Sequence, residues 1–440
     1  MKRFTFPHPL ILLLGGVLLA VALTWIVPAG SYERRVDDAT GRTVVVPGTY
    51  SRVAQAPVGP MDALLTVPRG IVAGADVMLV IFFVGGAYVL LERTGALGRL
   101  IGALIGSGWS PRAVLVVVGL VFATLGALEN MGEEIVALVP VLLVLSRGLG
   151  FGAITAVAIS EGAAIVGSAF GPTNPFQSGL ALKLAGLPAM SQPGLRVTML
   201  LAAVGIWIAW TIVMTGRDDV RPEVEPVSTE PPTRRDFVLL LIALAPFVPY
   251  VVGVLTRDWG FNELSGLFLI AGLMIGVVAG WSLSESAVRF LQAMEPLVGA
   301  ALFVGVARAI SLALSDGQVL DTILHALATG LGDARRALVP MLMVPAHALL
   351  HVPVPSVSGQ AALTMPIMAP LGDLLGVSRD AVVIAYQTGA GLCEMFTPTN
   401  GGFMAILLAA RLDYTRWVRF ALPGALLVAL VGLAGILLAQ

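Results

Sequence analysis

Phe170-Gly171-Pro172-Thr173-Asn174 and Phe396-Thr397-Pro398-Thr399-Asn400 are two copies of one pattern, 226 residues apart. Each lies inside an apolar stretch long enough to enter a bilayer. A proline there removes a backbone donor, and its ring clashes with the preceding turn. Asparagine and threonine cap new helix ends. The pair reads as two breaks in membrane helices. Such breaks at corresponding places in two halves point to a transporter binding site.

The register extends outward. At the same offset Pro140 falls on Pro366, and Leu149-Gly150-Phe151 falls on Leu375-Gly376-Val377. Farther upstream Phe83-Val84-Gly85 resembles Phe303-Val304-Gly305 at an offset of 220. A polar, glycine-containing interruption precedes each break: Glu129-Asn130-Met131-Gly132-Glu133-Glu134 and Pro355-Ser356-Val357-Ser358-Gly359-Gln360. The apolar runs beside these interruptions are too short for two full spans, as expected for a re-entrant hairpin covered by protein. The predicted fold is an all-α polytopic membrane protein. It has inverted structural repeats, each with a re-entrant hairpin and a discontinuous helix.

Composition agrees. Of 440 residues 57% are hydrophobic and 12% are charged, and mean hydropathy is +0.91. Soluble domains carry about 25% charged residues. The apolar runs are continuous, which predicts helices and not barrel strands, and there are roughly ten to twelve of them. A net charge of −1 gives nucleic acid no footing, and the single cysteine, Cys393, excludes an intrachain disulfide framework.

The predicted organisation has six parts. Residues 1–75 hold a first span, an outer polar loop with a small hairpin around Thr43–Val46, and an interfacial helix. Residues 76–215 are repeat one and 216–236 a polar linker. Residues 237–295 open the second half with a span and another interfacial helix, 296–415 are repeat two, and 416–440 form the last span. Lys2 and Arg3 predict a cytoplasmic N-terminus.

The candidate substrate- and ion-binding residues follow from the breaks and tips. They are Asn130, Glu133 and Glu134; Pro172, Thr173 and Asn174; Ser356, Ser358 and Gln360; and Pro398, Thr399 and Asn400. Asparagine and threonine oxygens and freed carbonyls suit a cation, whereas a half-helix N-terminus suits an anion. Sodium at Asn174 and Asn400 is one candidate coupling ion and the proton another; no cofactor and no other metal is expected. Glu129, Glu161, Arg308, His351 and Glu394 are secondary candidates, because an ionisable residue inside a membrane is costly unless it has a function or a partner. Arg308 reads either as an anion contact or as a partner of Glu295. His347 and His351 share a helical face without a zinc-protease glutamate, and read as a packed pair near the hairpin or, alternatively, as a proton-sensitive pair. At the positions matching Glu133, Glu134 and Glu161, the second half has Gly359, Gln360 and Gln387. The halves are electrically unequal, which suits a substrate with two unlike ends, such as an amino acid.

Further motifs are Pro7-His8-Pro9-Leu10, Val27-Pro28-Ala29-Gly30-Ser31-Tyr32, Val46-Pro47-Gly48-Thr49-Tyr50, Pro57-Val58-Gly59-Pro60, Phe83-Val84-Gly85-Gly86-Ala87 and Thr94-Gly95-Ala96-Leu97. With these the chain resembles the YfcC-type carriers, grouped with the anaerobic four-carbon dicarboxylate carriers of the ion transporter superfamily. The resemblance implies two re-entrant hairpins, two discontinuous helices and a homodimer with elevator-like motion. Basic amino acid antiporters are among the relatives. The tips depart from the Ser-Asn-Thr of sodium-coupled dicarboxylate relatives, reading Glu129-Asn130-Met131 and Ser356-Val357-Ser358.

The sequence reading is a secondary active transporter in the bacterial inner membrane, not an enzyme. It would carry a small organic carboxylate of dicarboxylate type by alternating access, with ion coupling or exchange. The alternative is a basic amino acid or small-peptide antiporter or symporter.

Overall fold

The computed structural model describes residues 9–38, 43–188, 191–215, 230–257, 259–332, 334 and 338–440. Lys2 and Arg3, residues 216–229 of the linker and the side chain of Glu129 lie outside the described residues. The chain begins with α1 (Pro9–Ile26) and four short strands, β1 (Gly30–Ser31), β2 (Arg34–Val36), β3 (Thr43–Val45) and β4 (Ser51–Arg52). β1 pairs with β4, and β2 with β3 in the register Arg34 to Val45. Thr43–Val45 thus pairs with the strand before it and not across Pro47-Gly48, where the expected hairpin would turn.

The first half continues with α2 (Pro60–Ala73), α3 (Ala75–Arg93), α4 (Ala96–Gly106), α5 (Pro111–Glu129) and α6 (Ile135–Gly148). Then come α7 (Ala153–Val157), α8 (Ala163–Phe170), α9 (Leu180–Leu184) and α10 (Pro193–Thr215). The second half contains α11 (Arg234–Leu244), α12 (Phe247–Arg257), α13 (Phe261–Val278), α14 (Leu283–Met294) and α15 (Val298–Asp316). It closes with α16 (Leu320–Gly332), α17 (Val339–His351), α18 (Val357–Leu375), α19 (Arg379–Tyr386), α20 (Gly401–Ala409) and α21 (Tyr414–Leu438).

Seven helical segments among the described residues are long and apolar enough to cross a membrane. This is a multi-pass membrane protein. Several of the apolar runs read from sequence are shorter pieces. α6 has 14 residues and α17 has 13, about 20 Å each at 1.5 Å per residue, short of a hydrocarbon core of about 30 Å.

Both broken helices lie at the centre. An 18-residue window of the stretch Ala153–Leu184 is 94% buried, so it faces protein where an outer span would face lipid. π-helical turns interrupt the two broken helices at Ala158–Gly162 and Gln387–Gly391. In the first half α5 packs on α8; in the second α17 packs on α19 and on the Gln387–Gly391 turn. α3 packs with α13 and α14, and α15 packs with α1 and α2, to form a second layer beside this core.

The α5–α8 contact is backbone to backbone. A Cβ on Gly126 would stand 2.1 Å from the Ala164 carbonyl oxygen, and one on Gly167 would stand 2.0 Å from that of Ala123. Small residues permit this approach where no solvent drives helices together. Gly167→Ala is expected to destabilise the protein by about 1–3 kcal/mol through overpacking. Gly194→Ala has open space around the new methyl and should melt at or above the wild-type temperature in detergent.

Candidate functional site

A cavity of about 300 Å³ lies between the two layers. Both tips reach it. From the first come Asn130, Glu133 and Glu134, and from the second Ser356 and Ser358. Thr399 and Asn400 of the second break also line it, as do Glu161, Glu394 and Arg308. Residues separated by more than 260 positions in sequence thus share one chamber.

At the first tip Asn130 closes α5 in a left-handed conformation, φ 60°. Its Oδ1 accepts hydrogen bonds from Ser168 Oγ and from Asn174 Nδ2. Glu134 is 3% exposed. Its Oε2 accepts from the Gly132 N–H at 3.0 Å, and its Oε1 lies 3.5 Å from the Tyr250 hydroxyl of α12. Glu133 packs its stem against Gly402, at the start of α20.

The twin breaks are built alike. Thr173 Oγ1 donates to the Ala127 carbonyl at 3.4 Å, and Thr399 Oγ1 donates to Val352 at 2.6 Å. Each threonine thereby satisfies a carbonyl at the end of the preceding hairpin helix, a group without an intrahelical partner. Asn174 caps the N–H groups of Phe176 and Gln177, both at 2.9 Å, and Asn400 caps Phe403 at 3.0 Å. These are ordinary N-caps.

Glu161 stands apart. It sits in the first π-turn, a feature that often marks functional positions. It is 3% exposed, yet its Oε2 has no hydrogen-bond partner. The charges of Glu394, Glu133 and Glu134 all act on it, and Arg308 acts on Glu133. With Asp76 the lining holds five carboxylates against one guanidinium. Burying a bare carboxylate costs several kcal/mol unless a cation, a proton or hydrogen bonds compensate. A chamber of this kind can hold a cation against several carboxylates, with a place for one anion beside Arg308.

The model of the C4-dicarboxylate anaerobic carrier family (DcuC) matches residues 6–440. The chain belongs to that carrier family. A protein of Escherichia coli (strain K12) named "Putative basic amino acid antiporter YfcC" is 30% identical to this carrier, over 95% of this chain and 93% of its own. A Haemophilus influenzae (strain ATCC 51907 / DSM 11121 / KW20 / Rd) protein without an assigned activity is 28% identical, over 96% and 94%. Among solved structures, the YdaH transporter of Alcanivorax borkumensis aligns with a TM-score of 0.43 at 17% identity, over 98% of both chains. MtrF of Neisseria gonorrhoeae also scores 0.43, at 14% identity, over 98% of this chain and 94% of its own.

Several expected site residues of the carrier lie elsewhere. Pro172, Thr173 and Asn174 do not line the cavity, and neither does Pro398. Asn174 is fully buried and turns back to α5, donating to the Gly126 carbonyl at 3.0 Å. Its Oδ1 already accepts two backbone N–H groups, so both lone pairs are occupied and none is left for sodium. At the second break the Met395 carbonyl accepts from Trp417 Nε1 at 2.8 Å, and that of Phe396 from the Tyr414 hydroxyl at 2.5 Å.

Gln360 also points away from the cavity. One turn into α18, it bridges the His351 ring at 3.0 Å and the His347 carbonyl at 2.8 Å. His351 is buried in that cluster and is not a lining residue. Nor does Arg308 pair with Glu295. Glu295 lies in the turn before α15, and Arg308 is ten residues into that helix, about 15 Å along its axis.

Gln387, the counterpart of Glu161, is a tie between elements. Its Nε2 donates to Ala169 of the first broken helix at 2.9 Å, and its Oε1 accepts from Arg196 at 2.7 Å. Arg196 in turn pairs with Asp380 at 3.1 Å, and both are buried. One position of the pair therefore faces the cavity and the other holds the two broken helices together.

Asp76, Ser168 and Tyr250 also line the cavity, beside Phe176, Phe261 and Phe403. Sequence reading had not selected them. Pro246 and Pro249 beside Tyr250 were an available signal, because they break an apolar helix.

Proposed function

We propose that this carrier moves a cationic amino acid across the bacterial inner membrane by alternating access, in exchange for another solute or coupled to protons. Glu161 is the observation that carries the reading: a buried carboxylate with an unpartnered oxygen, in a chamber shared with Glu133, Glu134, Glu394 and Asp76. A substrate ammonium or guanidinium supplies the missing partner. The name of the Escherichia coli relative, a basic amino acid antiporter, favours the same substrate class.

The dicarboxylate reading rests on Arg308 and on the family's description. It meets an electrostatic objection. Two like charges 5 Å apart at an effective dielectric constant of 20 repel by about 3 kcal/mol, and a dicarboxylate brings two negative charges to a wall of five carboxyl groups. We read the halves as inverted repeats at 76–215 and 296–415, with residues 129–134 and 355–360 as re-entrant tips. The shared chemistry of the twin breaks supports this reading.

The reading predicts a ligand profile. In a melting assay of the purified carrier, arginine, lysine or ornithine is expected to raise the midpoint, and succinate and fumarate are not. Ligand at about a hundred times its Kd adds about 2.7 kcal/mol, which such an assay resolves. Stabilisation by succinate with none by arginine would overturn the substrate class.

A further inference from the structure

We infer that Glu133 is a tethered anion. It stands beside the subsite for the substrate's own carboxylate, so that a carboxylate ligand must displace it to bind. The inference rests on the cationic amino acid reading and deepens it.

α20 begins at the second break with its N-terminus on the cavity, where Asn400, Gly401, Gly402 and Phe403 are lining residues. Asn400 caps Phe403, and the Met404 N–H reaches the Asn400 carbonyl. The Gly401 and Gly402 N–H groups have no partner among the described residues. A helix start of this kind carries roughly half a positive charge and binds anions. Arg308 lies in the same lining and acts electrostatically on Glu133.

Glu133 stands at this place. A Cβ on Gly402 would lie 2.8 Å from Glu133 Cγ and 3.6 Å from its Cδ. The stem of a carboxylate from the first tip thus fills the room that a side chain at position 402 would need. A second feature of the chamber points independently to a ligand: Glu161 Oε2, buried and unpartnered, marks the position of a cation. The Gly401–Gly402 amides and Arg308 mark the position of a carboxylate. An amino acid with a cationic side chain matches both. Its carboxylate displaces that of Glu133, and its cation stabilises the acidic wall. A dicarboxylate also displaces Glu133, but its second carboxylate then faces Glu134, Glu161 and Glu394.

The test is competition binding to the purified full-length carrier, with labelled arginine as probe and succinate as competitor. Glu133→Gln is expected to tighten arginine and succinate together, each by about tenfold or more, the scale of one anion that no longer has to be displaced. Glu133→Ala, which also removes the stem, must shift both ligands the same way. If either variant weakens arginine binding, Glu133 is a direct cation ligand and the inference is wrong. Unchanged affinity for both ligands overturns it too. Failure of the wild-type carrier to bind arginine would instead strike the cationic reading itself, so the two failures are distinguishable.

Discussion

Glu161→Gln is expected to lower kcat/KM for arginine uptake about a hundredfold while leaving the melting temperature unchanged or higher. The variant keeps the shape of the side chain and removes its charge. Charge–charge contacts near 4 Å at an effective dielectric constant of 20 amount to about 4 kcal/mol before desolvation, so two orders of magnitude is a moderate expectation. The stability half follows from the surroundings. Glu161 is held among Glu394, Glu133 and Glu134 and has an unpartnered buried oxygen, so neutralising it relieves repulsion. A residue retained for packing would show the reverse: lost stability and intact transport. Uptake in proteoliposomes together with melting in detergent reads both quantities on one preparation.

The second large effect separates the twin asparagines. Asn174→Ala is expected to reduce yield and stability by about 3–5 kcal/mol. It removes a helix cap worth about 1–2 kcal/mol and leaves the amides of Phe176 and Gln177 without their partner in a buried site, at about 1–3 kcal/mol for each unsatisfied group, while the Gly126 carbonyl keeps the Asn130 N–H. Asn400→Ala loses one cap, to Phe403, at the wall of the cavity. It should fold with a loss near 1 kcal/mol and fail in transport, because it loosens the helix start that faces the substrate. Equal stabilities for the two variants would mean that the two breaks do not differ as their surroundings indicate.

The twin breaks show how far sequence reaches. Their identical residues and fixed offset revealed two broken membrane helices and two polar tips, and the structure places both tips in one chamber. Local chemistry was legible because capping and chain breaking depend on neighbours in sequence. Orientation was not, because it depends on neighbours in space. Asn174 and Asn400 end the same Pro-Thr-Asn run, yet the first turns to the Gly126 carbonyl of α5, which also accepts the Asn130 N–H, and the cavity leaves the second at its wall. Glu161 and Gln387 differ by one functional group; the glutamine meets Ala169 and Arg196, whereas the glutamate meets the chamber. Gln360 was drawn off by a histidine carbonyl thirteen residues away. Tyr250 enters from α12, outside the repeated motifs, which no internal register could indicate.

On the proposed reading, this family member carries cationic amino acids through a chamber walled by carboxylates. Counterflow tests it most directly. Proteoliposomes containing the purified carrier are loaded with unlabelled arginine and diluted into trace labelled arginine or labelled succinate. The expected result is transient accumulation of labelled arginine above its external concentration, lost in Glu161→Gln, with no accumulation of succinate. Accumulation of succinate in succinate-loaded vesicles, with arginine inert in both settings, would contradict the claim.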